Sequence, residues 1–242
     1  MCKISIITVT YNACKTLPIT LNSIRNQNYK DYELILIDGG SKDGTQTIID
    51  DNKDIISYCV SQKDKGIYDA MNKGIAVAKG VFCMFLNAGD AFYDSNSLST
   101  MAESISTDTS YDMYFFDAYY EGSKGKRYFT PRLKEYPWRF CHQSMLFNSA
   151  LIKKENYNIK YKLSGDSELV YRLLGLGHSY ISINKPVVLE ETGVGATHDN
   201  LIASCKELYS IPYLKAQMNP LKICYNMFKI YTYSFLNKII RL

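Results

Sequence analysis

Short apolar runs rich in β-branched residues alternate along the chain with amphipathic stretches of helical period. Lys3–Thr10 (with Ile4, Ile6, Ile7 and Val9), Tyr32–Ile37, Ile55–Val60 and Val81–Leu86 have the length and composition of buried strands. Between them, Thr16–Asn26 carries Leu17, Leu21 and Ile24 at helical spacing. Thr45–Asp51 restarts a helix, and Gly66–Ala78 sets Ile67, Ala70, Met71, Ile75 and Ala78 along one side. Strands separated by helices predict an α/β architecture with a parallel sheet and helices on its faces. Ligands of such sheets bind beyond the carboxyl ends of the strands. Those ends are polar here. Thr10-Tyr11-Asn12 follows the first strand, Asp38-Gly39-Gly40-Ser41-Lys42-Asp43-Gly44 the second, and Asn87-Ala88-Gly89-Asp90 the fourth. Three polar clusters at one sheet edge predict a pocket there.

From Tyr111 the pattern changes to aromatic-rich strands, Asp112–Tyr120 and Lys126–Thr130, followed by a strand over Phe140–Phe147. Gly165–Leu176 reads as a helix with Leu169, Leu173 and Leu176 inward, and residues 200–242 as two helices divided near Asn219-Pro220. The predicted organisation is a body over 1–199 and a helical tail over 200–242, with the body divided near residue 100.

Composition narrows the class. With 46% hydrophobic and 21% charged residues, the 242-residue chain is neither disordered nor fibrous. Its seven cysteines, at 2, 14, 59, 83, 141, 205 and 224, never fall within ten residues of one another, which excludes CxxC knuckles and redox pairs. They read as small buried hydrophobes of a reducing compartment. The N-terminal apolar run is too short for a secretory signal, and no stretch reaches the roughly 18 uncharged apolar residues of a membrane span, so a cytoplasmic protein is expected. The net charge of +4 is uneven: residues 200–242 hold six basic groups against Glu207, whereas 1–199 hold 22 basic and 23 acidic residues. An anionic partner at the C-terminal end is implied, and nucleic acid is not expected. Leu221–Arg241, basic, acid-free and interleaved with aromatic and aliphatic residues, suits a helix lying on an anionic membrane surface.

The loop at Asp38–Gly44 follows a strand and precedes a helix, yet it matches neither GxGxxG nor a Walker loop, and its aspartates would repel a pyrophosphate on the backbone. Asp38 can instead accept a nucleobase N–H with Tyr11 stacking nearby, or it can merely close a turn; both roles stay open. Asp90 can hold a hard divalent cation against phosphates. In Asp166-Ser167-Glu168 an acid opens a helix, where capping alone would also favour it, and Arg172 lies four residues beyond Glu168 as an ordinary helical ion pair would. His142 and His198 are two of only three histidines, and His142 falls mid-strand beside Gln143 and Ser144.

Together, Lys3-Ile-Ser-Ile-Ile-Thr-Val-Thr-Tyr-Asn12, Ile37-Asp-Gly-Gly-Ser-Lys-Asp-Gly-Thr45, Asp64-Lys-Gly-Ile-Tyr-Asp-Ala-Met-Asn-Lys-Gly74, Phe85-Leu-Asn-Ala-Gly-Asp90 and Cys141-His-Gln-Ser144 resemble the family 2 glycosyltransferases. The branch they are most similar to builds bacterial O-antigens, capsules and exopolysaccharides. The resemblance implies a single A-type glycosyltransferase fold with a C-terminal helical extension. It also implies inverting transfer from a nucleotide-sugar, with a UDP-sugar the expected donor, to an undecaprenyl-diphosphate-linked saccharide at the cytoplasmic face of the inner membrane.

Carried over by position, Asp166 is the catalytic base. Thr10, Tyr11, Asn12, Asp38, Asp69, Asn72, Lys73 and Asn87 hold the nucleotide-sugar, while His142, Gln143 and Arg172 touch acceptor or donor. Asp90, with His198 as a further ligand, holds Mn²⁺ or Mg²⁺. The family usually shows Asp-x-Asp-Asp where this chain has Asn87-Ala88-Gly89-Asp90, so one carboxylate remains of that motif. A sugar nucleotidyltransferase would want a glycine-rich basic loop where Tyr11-Asn12-Ala13 stands. A non-catalytic nucleotide-sugar-binding module is the alternative that the depleted acidic motif favours and the retained Asp166 opposes.

Overall fold

A computed structural model describes residues 4–107, 110–122, 125–131, 133, 140–191 and 200–217. Its first half is the expected α/β unit. β1 (Ile4–Thr10) lies between β2 (Tyr32–Asp38) and β4 (Phe82–Phe85), with β3 (Tyr58–Ser61) outside β2, all four parallel. α1 (Leu17–Arg25), α2 (Thr45–Asp50) and α3 (Ile67–Val77) connect them. The register sets Thr10 beside Asp38 and Asp38 beside Ser61, so the polar strand ends share one edge. α3 presses hard on the sheet: a Cβ at Gly74 would come within 2.5 Å of the Ile7 side chain. That contact fixes how α3 lies, and with it the residue at its start, Tyr68.

The second half extends the sheet. β5 (Ala91–Phe92), β6 (Met113–Gly122), β7 (Gly125–Phe129), β8 (Met145–Asn148) and β9 (Tyr180–Glu191) complete nine strands in the order β3-β2-β1-β4-β8-β6-β9-β5, with β7 paired to β6. α4 (Ser97–Thr107), α5 (Ser149–Lys154) and α6 (Gly165–Gly175) flank it. One buried cluster gathers Ile7, Met71, Phe85, Phe115 and Leu169; a second gathers Ile6, Leu21, Met84, Leu98 and Phe116. Alternate residues of β1 supply each, as residues pointing to opposite faces of one strand do.

Two expected strand bounds need correction. The strand predicted over Phe140–Phe147 is one only from Met145; His142–Ser144 form a single 3₁₀ turn, because their polar groups are drawn off the ladder. Ser144 Oγ, for example, donates to the Phe116 carbonyl at 2.8 Å. The third strand starts at Tyr58 rather than Ile55, since Ile55 and Ile56 pack into the core from the preceding turn. Within the described residues the helical tail has a break at Ile211, and the division expected near Asn219-Pro220 lies outside them. Ile211 is extended (φ −62°, ψ 120°) before Pro212, as a residue preceding proline prefers.

α7 (Leu201–Ser210) and α8 (Pro212–Gln217) dock on the body. Ile211 and Leu214 are buried against Tyr171 of α6. Glu207, the single acid of 200–242, turns inward and accepts from the backbone N–H groups of Lys162 (2.9 Å), Leu163 (2.8 Å) and Ser164 (3.1 Å), which lead into α6. Among the described residues no helix is long and apolar enough to cross a membrane. Removing the Glu207 carboxylate leaves these donors without their acceptor. Glu207→Ala is therefore expected to lower stability by about 1–3 kcal/mol in urea unfolding. A change below about 0.5 kcal/mol would show that α7 does not hold the loop.

Candidate active site

The loops at the ends of β1 and β2 are stitched to each other. Asn12, at φ 48° in the left-handed region that asparagine tolerates, accepts from the Lys42 N–H at 3.0 Å, and its own N–H donates to Ser41 Oγ at 2.8 Å. Asp38 is fully buried and accepts from the Ser41 N–H (3.0 Å) and from the hydroxyls of Ser41 and Ser61. Of its two open roles, the structure shows the turn-closing one. Tyr11 is 65% exposed, and its ring lies where a Cβ on Gly39 would meet it at 3.2 Å and the Asp64 carboxylate at 2.6 Å. A side chain at that position would have to displace the Asp64 carboxylate. Thr10 Oγ1 is buried there with no partner.

At the end of β4, Thr20 of α1 holds the turn by donating to the Asp90 carbonyl (2.7 Å) and accepting from the Gly89 N–H (2.9 Å). Asn87 Nδ2 lies 3.1 Å from His142 Nε2, while Asn87 Oδ1 is buried without a partner. Asp90 Oδ2 accepts from Gln143 Nε2 at 3.0 Å. Burial pushes the Asp90 carboxyl up, against the opposing pull of His142 and Gln143. The 3₁₀ turn therefore ties His142 and Gln143 to the β4 loop.

The same turn reaches Asp166. His142 Nδ1 is 3.7 Å from Asp166 Oδ2, and the Tyr68 hydroxyl donates to Asp166 Oδ1 at 3.2 Å. Asp166 stands in the first turn of α6, where the helix dipole favours a carboxylate. Its neighbour Gly165 has no alternative: a Cβ would fall 2.7 Å from the Tyr68 ring. Burial first, then the charge of Asp166, pushes the Tyr68 phenol up, so it remains a donor. Asp166, His142, Gln143 and Tyr68 line one cavity of about 270 Å³, together with Tyr120 and Glu190. Glu190, at the end of β9, is pushed up to about 7 by burial first and then by the charges of Asp90 and Asp166.

Several predicted residues do other work. Arg172 is held by Glu168 (2.9 Å), Glu155 (2.8 Å) and the carbonyls of Glu155 and Asn156, and does not line the cavity; its helical ion pair is what the structure shows. Asn72 uses both ends of its amide on the Tyr157 backbone, at 2.9 Å each. Asp69 accepts from the Lys65 N–H (3.0 Å) and pairs with Lys73 (3.3 Å). These three brace the α3 turns rather than line the cavity. His198 lies outside the described residues. Tyr68 and Glu190 were missed: Tyr68 sits inside the Asp64–Gly74 motif without a role, and Glu190 ends a strand that was not predicted.

Among the described residues no three His, Cys, Asp or Glu side chains gather as a metal site. Asp90 offers one carboxylate at a strand end. That suffices for Mg²⁺ or Mn²⁺ when substrate phosphates and water supply the remaining oxygens, so the residues fit a substrate-dependent ion.

Comparison with known proteins identifies the class. Residues 5–166 match the family profile Glycosyl transferase family 2, and the chain belongs to that family. It is 32% identical over 173 residues to the PGL/p-HBAD biosynthesis glycosyltransferase of Mycobacterium bovis, covering 67% of this chain. The chain spans 66% of that relative's length. It is 33% identical over 110 residues to the cholesterol galactosyltransferase of Borreliella burgdorferi, covering 45% of this chain and 30% of that one. The S. aureus TarS 1-349 structure with UDP-GlcNAc superposes with a TM-score of 0.70 at 18% identity, over 86% of this chain and 64% of that one. The mannosyltransferase PcManGT of Pyrobaculum calidifontis, in complex with GDP-Man and Mn²⁺, gives 0.70 at 16% over 90% and 65%. The fold is thus the mixed α/β, A-type glycosyltransferase fold.

The raised Glu190 has a consequence for stability. Between its ordinary 4.5 and about 7 the folded protein keeps a proton that the unfolded chain has released. The stabilisation is full below about pH 4.5 and is lost as pH rises through about 7. Glu190→Gln should flatten the Tm–pH curve over that window and out-stabilise the wild type above it by roughly 3 kcal/mol. A wild-type curve as flat as the variant's would put Glu190 in water rather than in the cavity wall.

Proposed function

We propose that the protein is an inverting glycosyltransferase that moves a sugar from a nucleoside-diphosphate sugar, a UDP-sugar by preference, to a hydroxyl of a lipid-linked or saccharide acceptor in bacterial surface-glycan synthesis. The observation that carries the reading is the Asp166 carboxylate, oriented by Tyr68 and His142 in a cavity beside the β-strand ends. Asp166 takes the proton of the acceptor hydroxyl. The hydroxyl oxygen bonds to the anomeric carbon from the face opposite the nucleotide, and the bond to the diphosphate breaks with its electron pair on the leaving oxygen. A positioned base of this kind contributes about 10²–10⁴-fold. Tyr11, Gly39 and Asp64, with Thr10 at the end of β1, form the cradle for the nucleoside. Mn²⁺ or Mg²⁺ on Asp90 and the diphosphate would neutralise charge on the leaving group.

Two features favour a lipid-linked acceptor. The relatives include a cholesterol galactosyltransferase. Leu221–Arg241 is basic and free of acids, which suits the anionic cytoplasmic leaflet at about 1 kcal/mol per basic residue.

Asp166→Asn should lower kcat at least tenfold while UDP binding changes less than about threefold. EDTA should suppress transfer, and Mn²⁺ should restore it. UDP release from donor and acceptor measures both; a variant that keeps more than about a tenth of kcat removes Asp166 from the base role.

A further inference from the structure

The cavity beside Asp166 holds a second carboxyl that the reaction described above does not use. Glu190 reaches it from β9, whereas Asp166 reaches it from α6. The groups facing Glu190 are the Tyr120 hydroxyl of β6, the Cys141 thiol 3.3 Å from Oε2, and the like charges of Asp90 and Asp166. Among the described residues no cation pairs with it; Lys162 lines the same cavity, but its Nζ donates to the Lys65 carbonyl at 3.2 Å. An enclosed carboxyl without a counter-ion is costly, and a purely structural position would be filled more cheaply by an amide or an apolar side chain. Acids kept in such places cluster at binding sites.

The remaining walls say what it binds. Tyr68, Tyr120 and Phe140 bring aromatic rings, and Ile67 and Met71 bring aliphatic surface. At about 270 Å³ the space falls just under the ~300–1,000 Å³ of drug-sized sites, room for one sugar ring and not for a nucleotide-sugar. Neither Thr10 nor Asp38 lines the space. A pyranose matches it, with apolar C–H faces for the rings and hydroxyl edges for the carboxyls.

We propose that Glu190 binds a hydroxyl of the acceptor sugar, fixing which neighbouring hydroxyl is presented to Asp166. The proposal rests on the glycosyltransferase reading. It assigns Glu190 to acceptor specificity, outside the nucleotide-binding residues.

The test uses the full chain with p-nitrophenyl glycosides of glucose, galactose, mannose and N-acetylglucosamine, and with singly deoxygenated versions of whichever binds. Saturation-transfer NMR reads glycoside binding, and calorimetry reads UDP binding. Wild type should bind at least one glycoside. Glu190→Ala should weaken it about tenfold, Glu190→Gln less, and UDP affinity should not move. One deoxygenated analogue should bind wild type more weakly than its parent yet bind Glu190→Ala as well as the parent does. That last result identifies the hydroxyl, and a merely structural role would not produce it. Should Glu190→Ala fail to fold, the same analogue comparison on Glu190→Gln decides. Equal glycoside binding by wild type and variants, or UDP binding with no glycoside bound, overturns the proposal and leaves the glycosyltransferase reading standing. Absence of UDP binding overturns both.

Discussion

The approach of α6 to Tyr68 decides where the Asp166 carboxylate lies. Gly165 is pressed on the Tyr68 ring so closely that a Cβ would fall at 2.7 Å, and the next residue is Asp166, which receives the Tyr68 hydroxyl. α3 is itself fixed by the contact of Gly74 with Ile7 of β1. Two close approaches, each made at a glycine, thus carry the position of β1 out to Asp166. Glu207 holds the other side of the same loop through the backbone before Gly165. The placing of Asp166 therefore depends on a helix far from it in sequence.

The β4 loop and the 3₁₀ turn complete the site by exchange of side chains. Asn87 meets His142, and Asp90 meets Gln143. His142 thereby links the β4 loop to Asp166. Carboxyls at 90, 166 and 190 share this region: burial pushes Asp90 up, and burial with the charges of Asp90 and Asp166 pushes Glu190 up. A molecule without such a site would gain by replacing them. Family membership and the A-type fold give that expense a reason.

The α/β half was legible because β1 to β4 are continuous apolar runs cut off by polar strand ends, and period alone finds such runs. The second half was less legible. β9 contains Asn184-Lys185-Pro186, which breaks the apolar pattern where β6 shifts register at Asp117, so neither the strand nor Glu190 at its end stood out. His142-Gln143-Ser144 looked like a polar strand because the partners that make it a turn, Asn87, Asp90 and the Phe116 carbonyl, are distant in sequence. Asp166 stands out in the sequence as an acid opening a helix, whereas its partner Tyr68 is 98 residues away and visible only in three dimensions. Arg172, Asn72 and Lys73 also make contacts within the fold, with Glu155 and Glu168, the Tyr157 backbone and Asp69 respectively, which no local pattern announces.

The central claim is that Tyr68 and His142 act on the reaction through the one carboxylate of Asp166. A double-mutant cycle of Tyr68→Phe and His142→Gln, read as kcat/KM for UDP release in the wild-type and Asp166→Asn backgrounds, tests it most directly. The account predicts that each substitution costs activity, that the pair is non-additive, and that both effects disappear once Asp166 is asparagine. Additive losses that persist unchanged in the Asp166→Asn background would contradict it.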